Sequence, residues 1–203
     1  MKVLRVIANP KTVESSASLK IEQAFMSALL EKHPDAQVST IDLYEEEVPL
    51  LDAKLLPAFF GAPPADAEVE RQRERQKEIL EQFLAADVVV IASPVWNFNA
   101  PPKLKAFMDT VMVAGKTFRY TPQGPLGLIG EKKVVLCSAS GLLYGEGHPF
   151  QETLSTMLQN QFAFMGVEKL TILTAPGQGA GGEQAATSTA AAIEQAKAAA
   201  AAL

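Results

Sequence analysis

Apolar and polar positions along this chain alternate between two periods, one of strands and one of helices. Residues 3–8 are a short apolar run and predict a buried strand. Residues 19–32 carry Ile21, Phe25, Ala28 and Leu29 at helical spacing. Residues 38–43 (VSTIDL) alternate and are β-branched, which predicts a second strand. Residues 66–85 are highly charged, with Val69, Ile79, Leu80, Phe83 and Leu84 as the apolar stripe of a helix. Residues 87–93 (DVVVIAS) are apolar almost throughout, the pattern of a central parallel strand covered on both faces. Pro101 and Pro102 suit the first turn of a helix with the stripe Leu104, Phe107, Met108, Val111 and Met112, which Gly115 ends. Residues 133–138 predict a fourth strand, 150–165 a helix with Phe150, Leu154, Met157, Leu158, Phe162 and Met165 on one face, and 169–175 a fifth strand. The alanine-rich end, 183–203, is a good helix former.

Residues 49–65 fit neither period. Pro49, Pro57, Pro63 and Pro64 interrupt them, yet Leu55, Leu56, Phe59 and Phe60 are apolar. The stretch cannot be one regular element, and an exposed apolar patch of that size marks an interface.

Five strands alternating with helices predict an α/β fold: one domain over 1–203, a parallel sheet with helices on both faces. Ligands of such sheets bind beyond the carboxyl ends of the strands. Composition narrows the chemistry. With 18 Lys and Arg against 23 Asp and Glu, the net charge is −5, which argues against nucleic acid and anionic membranes as partners. One cysteine excludes a disulfide framework, and two histidines, His33 and His148, are too few for a histidine metal centre. No apolar run reaches the roughly 18 residues of a membrane span, and the first residues read as a strand rather than a signal peptide. A soluble cytoplasmic protein is expected.

The candidate chemistry lies in loops. After the first strand, 9–18 (NPKTVESSAS) puts small hydroxyl residues where a helix begins; this is a phosphate cradle, or simple capping by Ser15 or Ser16. After the third strand, 93–102 (SPVWNFNAPP) carries two aromatics and two amides stiffened by prolines, suited to a planar heteroaromatic ligand or to capping the core. After the fourth, 138–147 (SASGLLYGEG) is small enough for close approach of a ligand to the backbone. The run 177–182 (GQGAGG) matches G-x-G-x-x-G but lacks the further strand and acidic residue of a dinucleotide site, so it reads as a permissive turn. Cys137, inside an apolar strand, reads as an inert thiol. His148 stands in the fourth-strand loop, within possible reach of a substrate. His33 reads as a favourable charge at a helix end. Glu45, Glu46 and Glu47 read as solvated, as does the mixed charge run 68–81.

Together these loops resemble the FMN-dependent NADH-azoreductases, also described as quinone reductases, of the flavodoxin-like superfamily. Residues 94–99 (PVWNFN) are close to the family's P-M-Y-N-F-N. Residues 115–121 (GKTFRYT), with Gly124, Pro125, Gly127 and Leu128, are close to its G-x-T-F-R-Y-T-x-x-G-P-x-G-L. Residues 16–18 and 138–141 add support, and the likeness runs over essentially the whole chain. It implies a five-stranded sheet of order 2-1-3-4-5 and a homodimer with flavin sites at the interface. It implies FMN held by Asn9, Ser16, Ala17 and Ser18 at the phosphate, and by Val95, Trp96, Asn97, Phe98, Ser138, Ala139, Ser140 and Gly141 around the isoalloxazine. Phe60, Phe98, Tyr120 and Phe162 would wall the site for flat apolar substrates. The chemistry would be ping-pong: NADH or NADPH gives hydride to flavin N5, and a quinone or azo compound then takes two electrons, with no protein side chain as catalyst. Three features depart from the family: Asn9-Pro10 in the first loop, Trp96 in place of Tyr, and Ala139-Ser140-Gly141 in place of Arg-Gly-Gly. The rival reading is a flavodoxin-like electron carrier docking to protein partners.

Overall fold

The computed structural model describes residues 1–144 and 149–203. Five parallel strands form its sheet: β1 (Lys2–Ile7), β2 (Gln37–Asp42), β3 (Val88–Pro94), β6 (Lys133–Ala139) and β7 (Leu170–Ala175). Their order is β2-β1-β3-β6-β7, which is the expected 2-1-3-4-5 in the count of the sheet's own strands. The helices are α1 (Ala17–Lys32), α2 (Leu55–Phe59), α3 (Ala67–Ala85), α4 (Pro102–Val111), α5 (Leu154–Phe164) and α6 (Gly182–Ala201). A two-stranded antiparallel hairpin, β4 (Phe118–Thr121) with β5 (Gly124–Gly127), stands apart from the sheet.

Alternation along the strands sends side chains to opposite faces and so builds two cores. Leu4 and Val6 of β1 join Val89, Ile91, Val134 and Leu136 beneath α3, α4 and α5, whose Phe83, Phe107 and Phe162 are fully buried. Val3 joins Val88, Val90, Val135 and Cys137 beneath α1 and α6. There Ala192, Ala196 and Ala200, spaced one turn apart, keep α6 close to its neighbours. Within this second face a bidentate ion pair links β1 to α1: Arg5 Nε and Nη2 donate to Glu22 at 2.5 and 2.9 Å. Glu22 is 1% exposed, and the paired arginine offsets the cost of burying its charge. The Cys137 thiol is fully buried, and burial pushes its pKa up, so it stays protonated.

Several expectations need correction. Residues 49–65 are not one regular element, but the short helix α2 within them buries Leu55, which no helix was expected to do. Asp52 opens it, its carboxylate accepting the N–H groups of Lys54 and Leu55 at 2.9 and 2.8 Å. Pro57 is its third residue, where a missing N–H costs nothing. Leu55 and Ala58 are buried, while Leu56 and Phe60 remain exposed. The helix expected to reach Gly115 ends at Val111, because the buried Thr117 hydroxyl accepts the Val113 N–H at 3.0 Å and donates to the Val111 carbonyl at 2.9 Å. Gly127 of the hairpin meets the turn after α5 so closely that a Cβ there would lie 2.1 Å from the Gly166 nitrogen. Helix α5 starts at Leu154, leaving Phe150 outside it and exposed.

The acidic run 45–47 is not simply solvated. Arg75 binds Glu46 at 2.5 Å and the Glu47 carbonyl at 3.1 Å, and Arg71 bridges Glu47 and Glu68. The charged face of α3 thus holds down the loop that follows β2.

Candidate functional site

Parallel pairing brings the loops after β1, β3, β6 and β7 to one edge of the sheet. They enclose a cleft of about 410 Å³, lined by Asn9, Lys11, Ser15, Ser16, Ala17, Ser18, Pro94, Val95, Trp96, Ala139, Ser140, Gly141, Gln178 and Gly179. It stands where the strand order reverses between β1 and β3, the usual ligand crevice of a doubly wound sheet. The loop bases are stitched by backbone bonds, Ala8 N–H to Ala92 O and Val95 N–H to Ala139 O, both 2.8 Å.

One end of the cleft is a cluster of small polar groups. The Asn9 amide donates to Ser16 Oγ at 2.8 Å and to Ser18 Oγ at 3.1 Å, and the two hydroxyls lie 3.1 Å apart. All three residues are buried. Ser16 also caps α1, its Oγ accepting the Leu19 N–H at 3.4 Å. The two readings of this loop are therefore compatible: the capping serine also faces the cleft. The first-turn N–H groups of a helix lack partners inside it, and Ala17 and Ser18 occupy that turn. Among the described residues lining the cleft, Lys11 is the one that carries a charge. Hydroxyls, an amide, a helix N-terminus and a cation, with no carboxylate, make a donor set suited to a dianionic phosphate.

The rest of the lining includes the apolar side chains of Pro94, Val95, Trp96 and Ala139. Trp96 stacks edge-on against Tyr44, centroids 6.0 Å apart at 63°, and Lys103 Nζ sits 5.3 Å from the Tyr44 ring. Burial raises the Tyr44 pKa above its ordinary value, so the ring faces the indole as a neutral phenol. Trp96 and Asn99 exchange backbone bonds of 2.9 Å around Asn97 and Phe98. Both central residues have positive φ, +48° and +70°, the geometry of a tight primed turn. A phenylalanine in the left-handed region is strained, and such strain concentrates at functional loops. Hydrogen-bond donors and apolar side chains, Trp96 among them, lining one cleft fit the phosphate and the isoalloxazine of FMN.

Of the residues expected at a flavin, Asn9, Ser16, Ala17, Ser18, Val95, Trp96, Ala139, Ser140 and Gly141 line this one cleft. Asn97 and Phe98 form the tip of the turn beside it. Ser138 sits one step below the rim, buried in the sheet opposite Ser93 and Thr174. Phe60 and Tyr120 lie away from the cleft of the same chain and are 76% and 74% exposed. Phe162 is corrected outright. It is 0% exposed in the core beside Phe83, centroids 6.4 Å apart, and offers no face to a substrate. His148, with Gly145, Glu146 and Gly147, lies outside the described residues. Lys11 and Ser15 belong to the loop 9–18 singled out from the sequence but were not assigned to the flavin, and Gln178 and Gly179 belong to the 177–182 run, which reads from the sequence only as a turn.

Comparison with known proteins agrees with this geometry. A family model described as flavodoxin-like fold matches residues 1–200. An FMN-dependent NADH:quinone oxidoreductase of Brevibacillus brevis is 38% identical over 199 residues, covering 96% of each chain. The crystal structure of azoreductase AzrA superposes with a TM-score of 0.92 at 33% identity over 100% of both chains. An FMN-dependent NADH-azoreductase from Bacillus anthracis, solved in complex with FMN, gives a TM-score of 0.90 at 31% identity over 98% of this chain and 97% of that one. By fold, by full-length identity and by the composition of its cleft, the chain belongs to the flavodoxin-like family of FMN-dependent NADH:quinone oxidoreductases and azoreductases.

Proposed function

We propose that this chain is an FMN-dependent oxidoreductase that takes electrons from NADH or NADPH and reduces quinones and azo compounds two electrons at a time. One observation carries the reading: Asn9, Ser16 and Ser18 converge within 3.1 Å in a cleft that Pro94, Val95, Trp96 and Ala139 also line. When bound, FMN supplies the redox chemistry, passing an electron pair from nicotinamide to acceptor; the protein supplies binding and orientation. Asn9, Ser16, Ser18 and the first-turn amides of α1 hold the phosphate, and Lys11 adds charge. The segment 95–98 with Ser138, Ala139, Ser140 and Gly141 borders the ring system, and Trp96 gives it a broad stacking face.

The active form is a homodimer. Leu56, Phe60, Tyr120, Leu126 and Leu128 are exposed apolar side chains, and a second copy would cover them. In that assembly Phe60 and Tyr120 reach the flavin cleft of the partner subunit and, with Phe98, wall the substrate space. No helix among the described residues is long and apolar enough to cross a membrane. Nicotinamide donors are solutes of the cytoplasm, where the enzyme works.

The visible spectrum of the purified protein is the direct test, because bound oxidised flavin absorbs in the blue. Stopped-flow mixing with NADH alone then separates an enzyme from an electron carrier. Rapid bleaching, followed by recovery on adding a quinone, supports the reductase. A bound flavin that NADH leaves oxidised overturns it.

A further inference from the structure

The glycine-rich run 177–182 follows β7 and opens α6, and the reading above gives it no task. Its amides run along the loop after β6. Gly177 N–H donates to Leu142 O at 3.1 Å, Gln178 N–H to Ser140 O at 2.9 Å, and Gly179 N–H to Gly141 O at 2.9 Å. Ser140 N–H donates to Ala175 O at 3.2 Å, so the pairing of β6 with β7 continues beyond the strands and into the wall of the cleft.

At Gly179 this contact leaves no room for a side chain. A Cβ there would lie 2.9 Å from the Gly141 carbonyl oxygen and 3.4 Å from its carbon. These are backbone atoms of a cleft-lining residue, and they cannot swing aside like the tip of a long side chain. Gly141 itself has nothing within 4 Å of its own missing Cβ, so the constraint acts from Gly179 alone. In trans peptides each N–H points opposite to the preceding carbonyl. With the Ser140 and Gly141 carbonyls both turned to the 177–179 segment, the Gly141 and Leu142 N–H groups face away from it. Among the described residues, neither donates to a protein acceptor. Adjacent N–H groups of this kind suit the acceptor atoms of a ligand.

We propose that Gly179 is a positioning residue for the flavin. Its close contact with Gly141 sets where the loop after β6 stands, and with it the N–H donors that the ring meets. The proposal rests on the flavin reading above. The glycine is required for space rather than for backbone freedom, since its φ lies outside the left-handed region. Gly181 is the reverse case, with φ +65° and nothing within 4 Å of a Cβ.

The test titrates apoproteins with FMN by quenching of flavin fluorescence, alongside their thermal midpoints and the visible spectra of the reloaded proteins. Gly179→Ala should raise the FMN Kd about tenfold, the equivalent of one hydrogen bond of roughly 1.4 kcal/mol. Gly179→Val should raise it further, and both should shift the flavin absorption band while the apoproteins melt like wild type. Gly181→Ala, which strains the backbone without pressing on Gly141, should keep the wild-type Kd and spectrum. Wild-type affinity and spectrum in folded Gly179→Val overturn the proposal, as does equal loss in Gly179→Ala and Gly181→Ala. A wild-type apoprotein that binds no FMN refutes the flavin reading itself, a result distinct from either.

Discussion

The carbonyl oxygen of Phe98 accepts two hydrogen bonds from Thr153, from its N–H at 2.6 Å and its Oγ1 at 2.9 Å. Thr153 stands just before α5, so the start of that helix holds a turn whose Phe98 has a φ of +70°. Backbone strain of this kind costs about 1–3 kcal/mol and persists only where neighbours over-determine it. Thr153→Val keeps the shape and the N–H bond but loses the hydroxyl. It should cost about 1 kcal/mol of stability and speed hydrogen exchange at the Asn99 amide, which closes the turn on Trp96. Unchanged exchange and an unchanged melt would mean that the turn holds itself.

The polar end of the cleft predicts selectivity for a phosphorylated flavin. A hydrogen bond from a serine to a phosphate is charge-assisted and contributes roughly 1.5–3 kcal/mol. Ser16→Ala combined with Ser18→Ala should therefore weaken FMN binding by about two orders of magnitude or more, with riboflavin binding little changed. Calorimetry with the two flavins makes the comparison. Equal losses for both would show that the serines shape the helix start and nothing more.

Assembly gives a third prediction. Phe60 is 76% exposed, with its ring edge-on to Phe59 at 5.4 Å. Sedimentation equilibrium should find a dimer at micromolar concentration, and Phe60→Ala should weaken it. In a symmetric pair one substitution removes two anchors. The same variant should raise KM for bulky azo or quinone substrates more than for NADH. A monomer with full flavin content and full activity rules out a shared site.

The start of α2 carries a pH dependence. Hydrogen bonds from the Leu55 and Lys54 amides hold the Asp52 carboxyl below its ordinary value of 3.8. A depressed acid favours the folded state above its unfolded value and loses that contribution as pH falls through the lowered one. The Lys54 and Leu55 amide resonances should titrate with a midpoint below 3.8. Asp52→Asn, which keeps an accepting oxygen, should abolish that titration. A midpoint at the ordinary value would mean that the carboxylate is free in solution.

The sequence by itself determined the five strands, their alternation with helices and the loops worth inspecting, because burial on both faces of a parallel sheet writes uninterrupted apolar runs such as 88–92. Helical spacing also put Phe162 on an apolar stripe, and the structure sides with that spacing over the substrate role implied by family likeness. The β4–β5 hairpin left no such trace. Of its eight residues only Phe118 is buried, and its place depends on Gly127 meeting Gly166 on a distant turn. The end of α4 likewise waits on the Thr117 hydroxyl reaching back to Val111. Only the tertiary structure decided that Gln178 and Gly179 complete the cleft, and that Glu46 and Glu47 are bound by arginines of α3. Periodicity records whether a residue is buried within its own element. Which loops meet depends on strand order and close backbone approach between segments far apart in the chain, and a local pattern carries no record of either.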